Sequence, residues 1–187
     1  MTPALASNQK SPETVSHLIS MLRDFDAATL ISRSRAGGLH GRPMSIARVE
    51  DDASIWFITS VASVKVDEVA EDARTTVTLQ SSARFLCLNG TIELVFDRAQ
   101  IKALWKSAYS VWYAGETDPD IVLLRFTPFD AEYWDNSGLQ GLKYAFQAAR
   151  SYVTGQKLDE KPELADDPEA HAKLRLWDPS ERSEHDA

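Results

Sequence analysis

The chain has almost no cysteine. Cys87 is the only one in 187 residues, so an internal disulfide framework is excluded, and its place in an apolar run points to an inert buried thiol. No apolar run approaches the roughly 20 residues that a membrane-spanning helix requires. The first ten residues, MTPALASNQK, lack the charged and apolar regions of a secretory signal, which makes the cytoplasm the expected compartment. Histidine is scarce too: His17, His40, His171 and His185 have no metal-ligand spacing with cysteine or carboxylate, so no metal site is expected. Positive charge is outnumbered, with 20 Lys and Arg against 28 Asp and Glu and a net charge of -8. That balance argues against a nucleic-acid partner, because counterion release needs a basic face. The glycines of Ala36–Gly41 have neither the spacing nor the following helix of a Rossmann or Walker loop.

What is present is ordinary for a globular domain: 43% hydrophobic and 26% charged residues, in a length that suits one full core better than two. The charge is unevenly spread. From Asp159 onward ten acidic residues face four basic ones, whereas Ala27 to Val49 holds no carboxylate and carries Arg33, Arg35, His40, Arg42 and Arg48. That window reads as an anion-binding island or as an exposed hairpin whose charges keep an edge soluble.

Residues 1–11 read as a disordered N-terminus. Ser11-Pro12-Glu13 supplies a cap, a proline at the first helical position and an acid in the first turn, ahead of Val15, Leu18, Ile19, Leu22 and Phe25 at helical spacing. Strands are expected over 27–34, 44–49, 55–59, 75–80, 84–96 and 121–134, the last bent at Pro128. Asn89-Gly90 offers a hairpin turn, but that would leave two flanking strands of about five residues, and one long strand with a bulge or close approach at Gly90 is preferred. Asp97 to Gln100 is a capping-box pattern for a helix continuing through Trp105 and Ala108. Leu139, Leu142, Phe146, Ala149 and Val153 space a final helix. The acidic segment 156–187 reads as disordered, with weak helical character from Glu169 to Leu176 and no contribution to stability. Short strands without alternating crossover helices favour a small closed barrel with flanking helices, a mainly β, α+β architecture.

The chain is organised around Gly41–Lys65: a strand, a turn at Glu50–Ala53, a buried strand, and a hydroxyl-rich entry into a short helix at Ser63. This layout lets Arg42, Thr59, Ser60, Ser63 and Lys65 converge on one anion. If Ser63 caps a helix, Lys65 sits in the first turn against a positive dipole, at a cost of roughly 0.3–1 kcal/mol unless an anion offsets it. A phosphate would do so; a lysine swung into water is the plainer alternative.

Gly41-Arg42-Pro43-Met44-Ser45, the block Trp56–Ser60 with Ser63-x-Lys65, Gly90 in a long strand, and Pro128 with Glu132-Tyr133-Trp134 together resemble the pyridoxamine 5'-phosphate oxidase-like flavoproteins, in their bacterial general stress protein branch. The resemblance covers residues 12–155. It implies a six-stranded split β-barrel homodimer holding FMN, or FAD in its place, at the subunit interface. Arg42 and Lys65 would pair with the phosphate, Ser63 and Thr59 would add hydrogen bonds, and the segments Met44-Ser45-Ile46 and Ile58-Thr59-Ser60 would give main-chain contacts to the ring. Trp134 would approach from the partner subunit.

There are departures from the oxidase pattern. This chain has Ser63-Val64-Lys65 for Ser-Arg-Lys, Ala47 for a lysine, Phe85 near a flavin-contacting glutamine, and Gln140-Gly141-Leu142 where an Arg-Leu-His type motif grips the vitamin phosphate. Oxidation of pyridoxamine phosphate is therefore not expected. Two roles stay open: an FMN-dependent oxidoreductase acting on an unidentified small molecule, and a flavin-binding or redox-responsive stress protein with little turnover. His40 is a candidate acid or base or a solvent-facing loop residue. Trp105, Tyr109, Trp112 and Tyr113 form either a stacking wall, a subunit interface or core packing.

Overall fold

The computed structural model describes residues 11–137 and 171–177. Helix α1 (Pro12–Arg23) opens as its capping sequence dictates: Ser11 is extended and its Oγ accepts from the amide of Thr14 at 3.2 Å. Leu18, Ile19, Met21 and Leu22 are buried on its inner face. Seven strands follow, β1 (Ala27–Arg33), β2 (Leu39–Val49), β3 (Ile55–Ser60), β4 (Arg74–Gln80), β5 (Arg84–Val95), β6 (Ile121–Asp135) and β7 (His171–Arg175). Helix α2 (Val64–Glu71) lies between β3 and β4, and α3 (Arg98–Leu104) between β5 and β6.

Every pairing is antiparallel, in the order β3-β2-β1-β4-β5-β6-β7, and β3 also pairs with β6. That last pairing closes β1–β6 into the expected six-stranded barrel. Alternate residues of each strand enter the barrel, where Leu30, Met44, Ile55, Phe57, Val77, Leu88, Leu124 and Phe126 make one core continuous with α1. A smaller cluster, Ala47, Trp56, Ile101, Leu104, Ile121 and Leu123, is joined by Trp105 and Tyr113.

Gly90 behaves as the sequence suggests. β5 runs unbroken, its register with β6 shifts between Asn89 and Gly90, and Gly90 pairs with Pro128. A Cβ on Gly90 would meet the Phe126 ring at 2.6 Å, so only glycine lets β6 pass this close where its register shifts.

Several expectations change. β2 begins at Leu39, because β1 and β2 stay paired out to Arg33–Leu39 and the chain reverses within Ser34–Gly38, with Gly37 at φ 85. Helix α3 stops at Leu104; Trp105 turns extended, and Ser107–Val111 is a separate 3-10 turn. Residues 171–175 are a strand paired with β6, neither disordered nor helical: Ala172, Leu174 and Leu176 alternate onto the core face, and Leu174 is fully buried. Cys87 is half-buried, and burial with Asp130 and Glu132 nearby pushes its thiol up, so it stays protonated and inert at neutral pH. The helix expected over 139–153, residues 1–10 and the rest of the tail lie outside the described residues.

Candidate functional site

β2 and β3 pair only through Ile46–Phe57, Arg48–Trp56 and Val49–Ile55, with a bulge at Ala47. Beyond Ile46 and Phe57 they part. Arg42–Ser45 remain paired to β1 on one side, and Ile58–Ser60 remain paired to β6, so the facing edge of each strand is left without a strand partner. This opening in an otherwise closed barrel is the split. Met44 is buried, Ser45 exposed, and Ile58 and Ser60 intermediate along its margins. Ser60 uses its Oγ locally, accepting from the amide of Ala62 at 3.2 Å.

Ser63 has the extended conformation of a helix cap, yet its hydroxyl caps no amide. It accepts instead from Lys65 Nζ at 2.7 Å, and Thr59 Oγ1, on a buried residue of β3, accepts from the same ammonium at 2.8 Å. Lys65 is therefore held in place by two neutral hydroxyls, and among the described residues no carboxylate lies within ion-pair distance of it. Burial, and secondly the neighbouring Arg42 guanidinium, push the Lys65 ammonium below the ordinary lysine value. This half-buried cation, beside a second cation and at a helix N-terminus, has no counterion among the described residues.

Arg42 is placed differently from the free fork that the sequence suggests. It donates from Nη1 to Ser32 Oγ at 2.8 Å and from Nη2 to Glu68 Oε2 at 2.7 Å. Glu68, on α2, is 6% exposed, takes a further bond from Ser32 Oγ at 2.5 Å, and lies 2.6 Å from His40 Nδ1. Burial alone would raise its carboxyl; donation from Ser32, Arg42 and His40 outweighs that and holds it at about 2. Each terminal guanidinium nitrogen carries a second N–H, so Arg42 keeps donors in reserve.

The basic island of β1 and β2 is largely matched within the chain. Arg33 faces Asp72, Arg35 pairs with Glu71, His40 and Arg42 meet Glu68, and Arg48 pairs with Glu50. The island is thus matched mostly by α2 and by Asp72 just beyond it, with Arg48 on Glu50, whereas Lys65 has no acidic partner among the described residues. Glu68 escaped the sequence reading, although its i,i+3 spacing from Lys65 puts both on one side of α2. His40 is exposed to solvent, as one of the two readings has it, but it lies on β2 and not in a loop, with Nδ1 2.6 Å from Glu68 Oε1.

Trp134 lies across from Phe85 on β5 and His171 on β7. Its ring stacks on its own chain's His171 at 5.1 Å and 14°, leaving it 37% exposed beside Phe85 at 39%. Trp105 and Tyr113 pack on the outer cluster, and Trp105 meets Tyr109 edge-on at 5.8 Å, which makes this group packing around a corner; Trp112 is 67% exposed.

A donor set of one ammonium, two hydroxyls and an adjacent guanidinium beside an unpaired strand edge fits a phosphate carried by a planar molecule. A sequence model of the family described as pyridoxamine 5'-phosphate oxidase like matches residues 13–159. The chain belongs to this family. Among solved structures it is similar to a putative general stress protein 26 from Jannaschia sp. CCS1, at 23% identity over 88% of this chain and 99% of that one, with a TM-score of 0.65. It is similar to the general stress FMN/FAD binding protein of Xanthomonas citri at 26% identity, over 68% of this chain and 92% of that one, with a TM-score of 0.59. A Clostridium acetobutylicum protein related to general stress protein 26 shares 20% identity over 67% and 90%, with a TM-score of 0.60. No curated protein sequence matches. The fold is the split barrel of these proteins, and among the described residues no helix is long and apolar enough to cross a membrane.

Proposed function

We propose that this protein binds a flavin, FMN or FAD, by its phosphate. Lys65, Ser63 and Thr59 are the direct phosphate contacts and Arg42 is the second cation. The main chain of Met44, Ser45 and Ile58–Ser60 lies along the ring. The observation that carries this reading is Lys65, a half-buried ammonium tied to Thr59 and Ser63 with no carboxylate partner among the described residues. The FMN/FAD binding protein of Xanthomonas citri, 26% identical over the 68% of this chain that it covers, supports the choice of cofactor. A second copy of the chain completes the site in this proposal, with the exposed faces of Trp134 and Phe85 as its contact.

Bound flavin would supply hydride or single-electron transfer, and the protein orientation and charge. His40, the candidate acid or base, lies 2.6 Å from Glu68 Oε1 and is engaged there. That favours a flavin carrier or redox-responsive role over rapid turnover. The binding test is an equilibrium titration of the apoprotein with FMN and with riboflavin. Lys65→Ala should weaken FMN roughly 10- to 100-fold, as expected for a charged hydrogen bond of about 1.5–3 kcal/mol, and leave riboflavin unchanged. Equal FMN retention by variant and parent would refute the site. Anaerobic reduction followed by exposure to oxygen, quinones and NAD(P)+ separates the two roles: fast reoxidation by any of them marks an oxidoreductase.

A further inference from the structure

Resting on that reading, a second property of the same site follows from its charge. Arg42 and Lys65 are neighbours, and Glu68 sits buried against Arg42, so the cluster carries two positive charges and one negative. Glu68 has no escape to solvent and is held by Ser32 and Arg42, with His40 at its other oxygen. The negative charge is therefore a fixed part of the site.

We propose that Glu68 is a specificity-determining residue, which lowers the charge of the phosphate site to about one positive unit and so narrows the advantage of a dianionic monoester over a singly charged phosphoryl group. A phosphomonoester carries about -1.5 to -2 at neutral pH because its second ionisation lies near pH 6. Each phosphoryl of a dinucleotide diphosphate carries only one negative charge. The second charge of FMN meets Glu68 as a repulsion that the near phosphoryl of FAD largely avoids. Arg42 still contributes, since Glu68 orients its guanidinium while offsetting its charge.

The probes are FMN, FAD, riboflavin and the cyclic phosphodiester of riboflavin, which is singly charged without the bulk of an adenylate. Each is titrated by flavin fluorescence against parent, Glu68→Gln and Glu68→Asp. The parent should hold FMN less than about tenfold more tightly than FAD or the cyclic diester. Glu68→Gln should shift the ratio toward FMN by roughly five- to tenfold, the effect of one unit charge several ångströms away in a partly screened site. Glu68→Asp, which keeps the charge, should leave the ratio near the parent's, and riboflavin should not respond to either change. A parent that prefers FMN over the cyclic diester by tenfold or more overturns the proposal, and this stands even where Glu68→Gln does not fold. Equal shifts of FMN and the cyclic diester in Glu68→Gln overturn it as well, with the flavin site intact. Failure of the parent to bind any phosphorylated flavin removes the site itself, and the proposal with it.

Discussion

Leu174 of β7 stands directly across from Ala131 of β6, and none of its surface is exposed. Part of an acidic segment thereby joins the barrel core, with Leu176 donating its amide to the Phe129 carbonyl at 2.8 Å. Leu174→Ala should cost about 2–5 kcal/mol, the usual range for a buried leucine that leaves a cavity. Truncation before residue 171 should cost at least as much, and urea midpoints would measure both. This reverses the expectation that residues 160–187 are dispensable. A truncated chain unfolding with the parent would show that β7 contributes nothing.

The contrast between α1 and β7 shows where sequence was informative. Ser11-Pro12-Glu13 is a local signal, and α1 forms where local chemistry alone says it should. His171–Arg175 becomes a strand because β6 extends past Pro128, beyond its pairing with β3, and presents a second edge there, a condition set far away in the chain. Its period-two pattern of Ala172, Leu174 and Leu176 was visible but outweighed by the charge around it. The site divides in the same way. Lys65, Ser63 and Thr59 were legible as a hydroxyl-rich helix entry, whereas Arg42's engagement with Glu68 depends on α2 packing over the barrel end. Sequence patterns register charge and period, and say little about which acid an arginine meets.

At Gly90 the nearest obstacle to a side chain is the Thr127 carbonyl, 2.3 Å from where a Cβ would stand. That oxygen belongs to backbone and cannot rotate away. Gly90→Ala should destabilise by about 1–3 kcal/mol, at the level of an overpacked core, or more if β5 and β6 separate. Chemical denaturation is the measurement, and a variant as stable as the parent would mean that the bulge relaxes freely.

Glu68 should leave a signature in acid. Its folded value, about 2, lies below the ordinary 4.5, so the unfolded chain binds the proton first as pH falls. The stability it contributes is present in full above about pH 4.5 and is lost progressively as pH falls toward 2. Glu68→Gln removes a group that titrates in this window. The stability gap between parent and variant should therefore be largest near neutrality and shrink in acid, as read from denaturant midpoints at several pH values. A gap independent of pH would show that Glu68 is not ionised against Ser32, Arg42 and His40.

Lys65 makes the opposite prediction at alkaline pH. Burial and the Arg42 charge lower its proton affinity in the free protein, so it releases its proton earlier than an ordinary lysine as pH rises. A bound phosphate supplies the missing counterion and pulls that proton affinity back up. Above the free-site value, binding must therefore take up a proton, and FMN affinity should fall with rising pH until the bound form also titrates. Lys65→Arg keeps a guanidinium charged across the whole range and should flatten this fall, even if its geometry weakens binding overall. Riboflavin titrated in parallel corrects for ionisation of the ring. An FMN affinity with the same alkaline profile in parent and Lys65→Arg would separate Lys65 from the phosphate, whatever else the site holds.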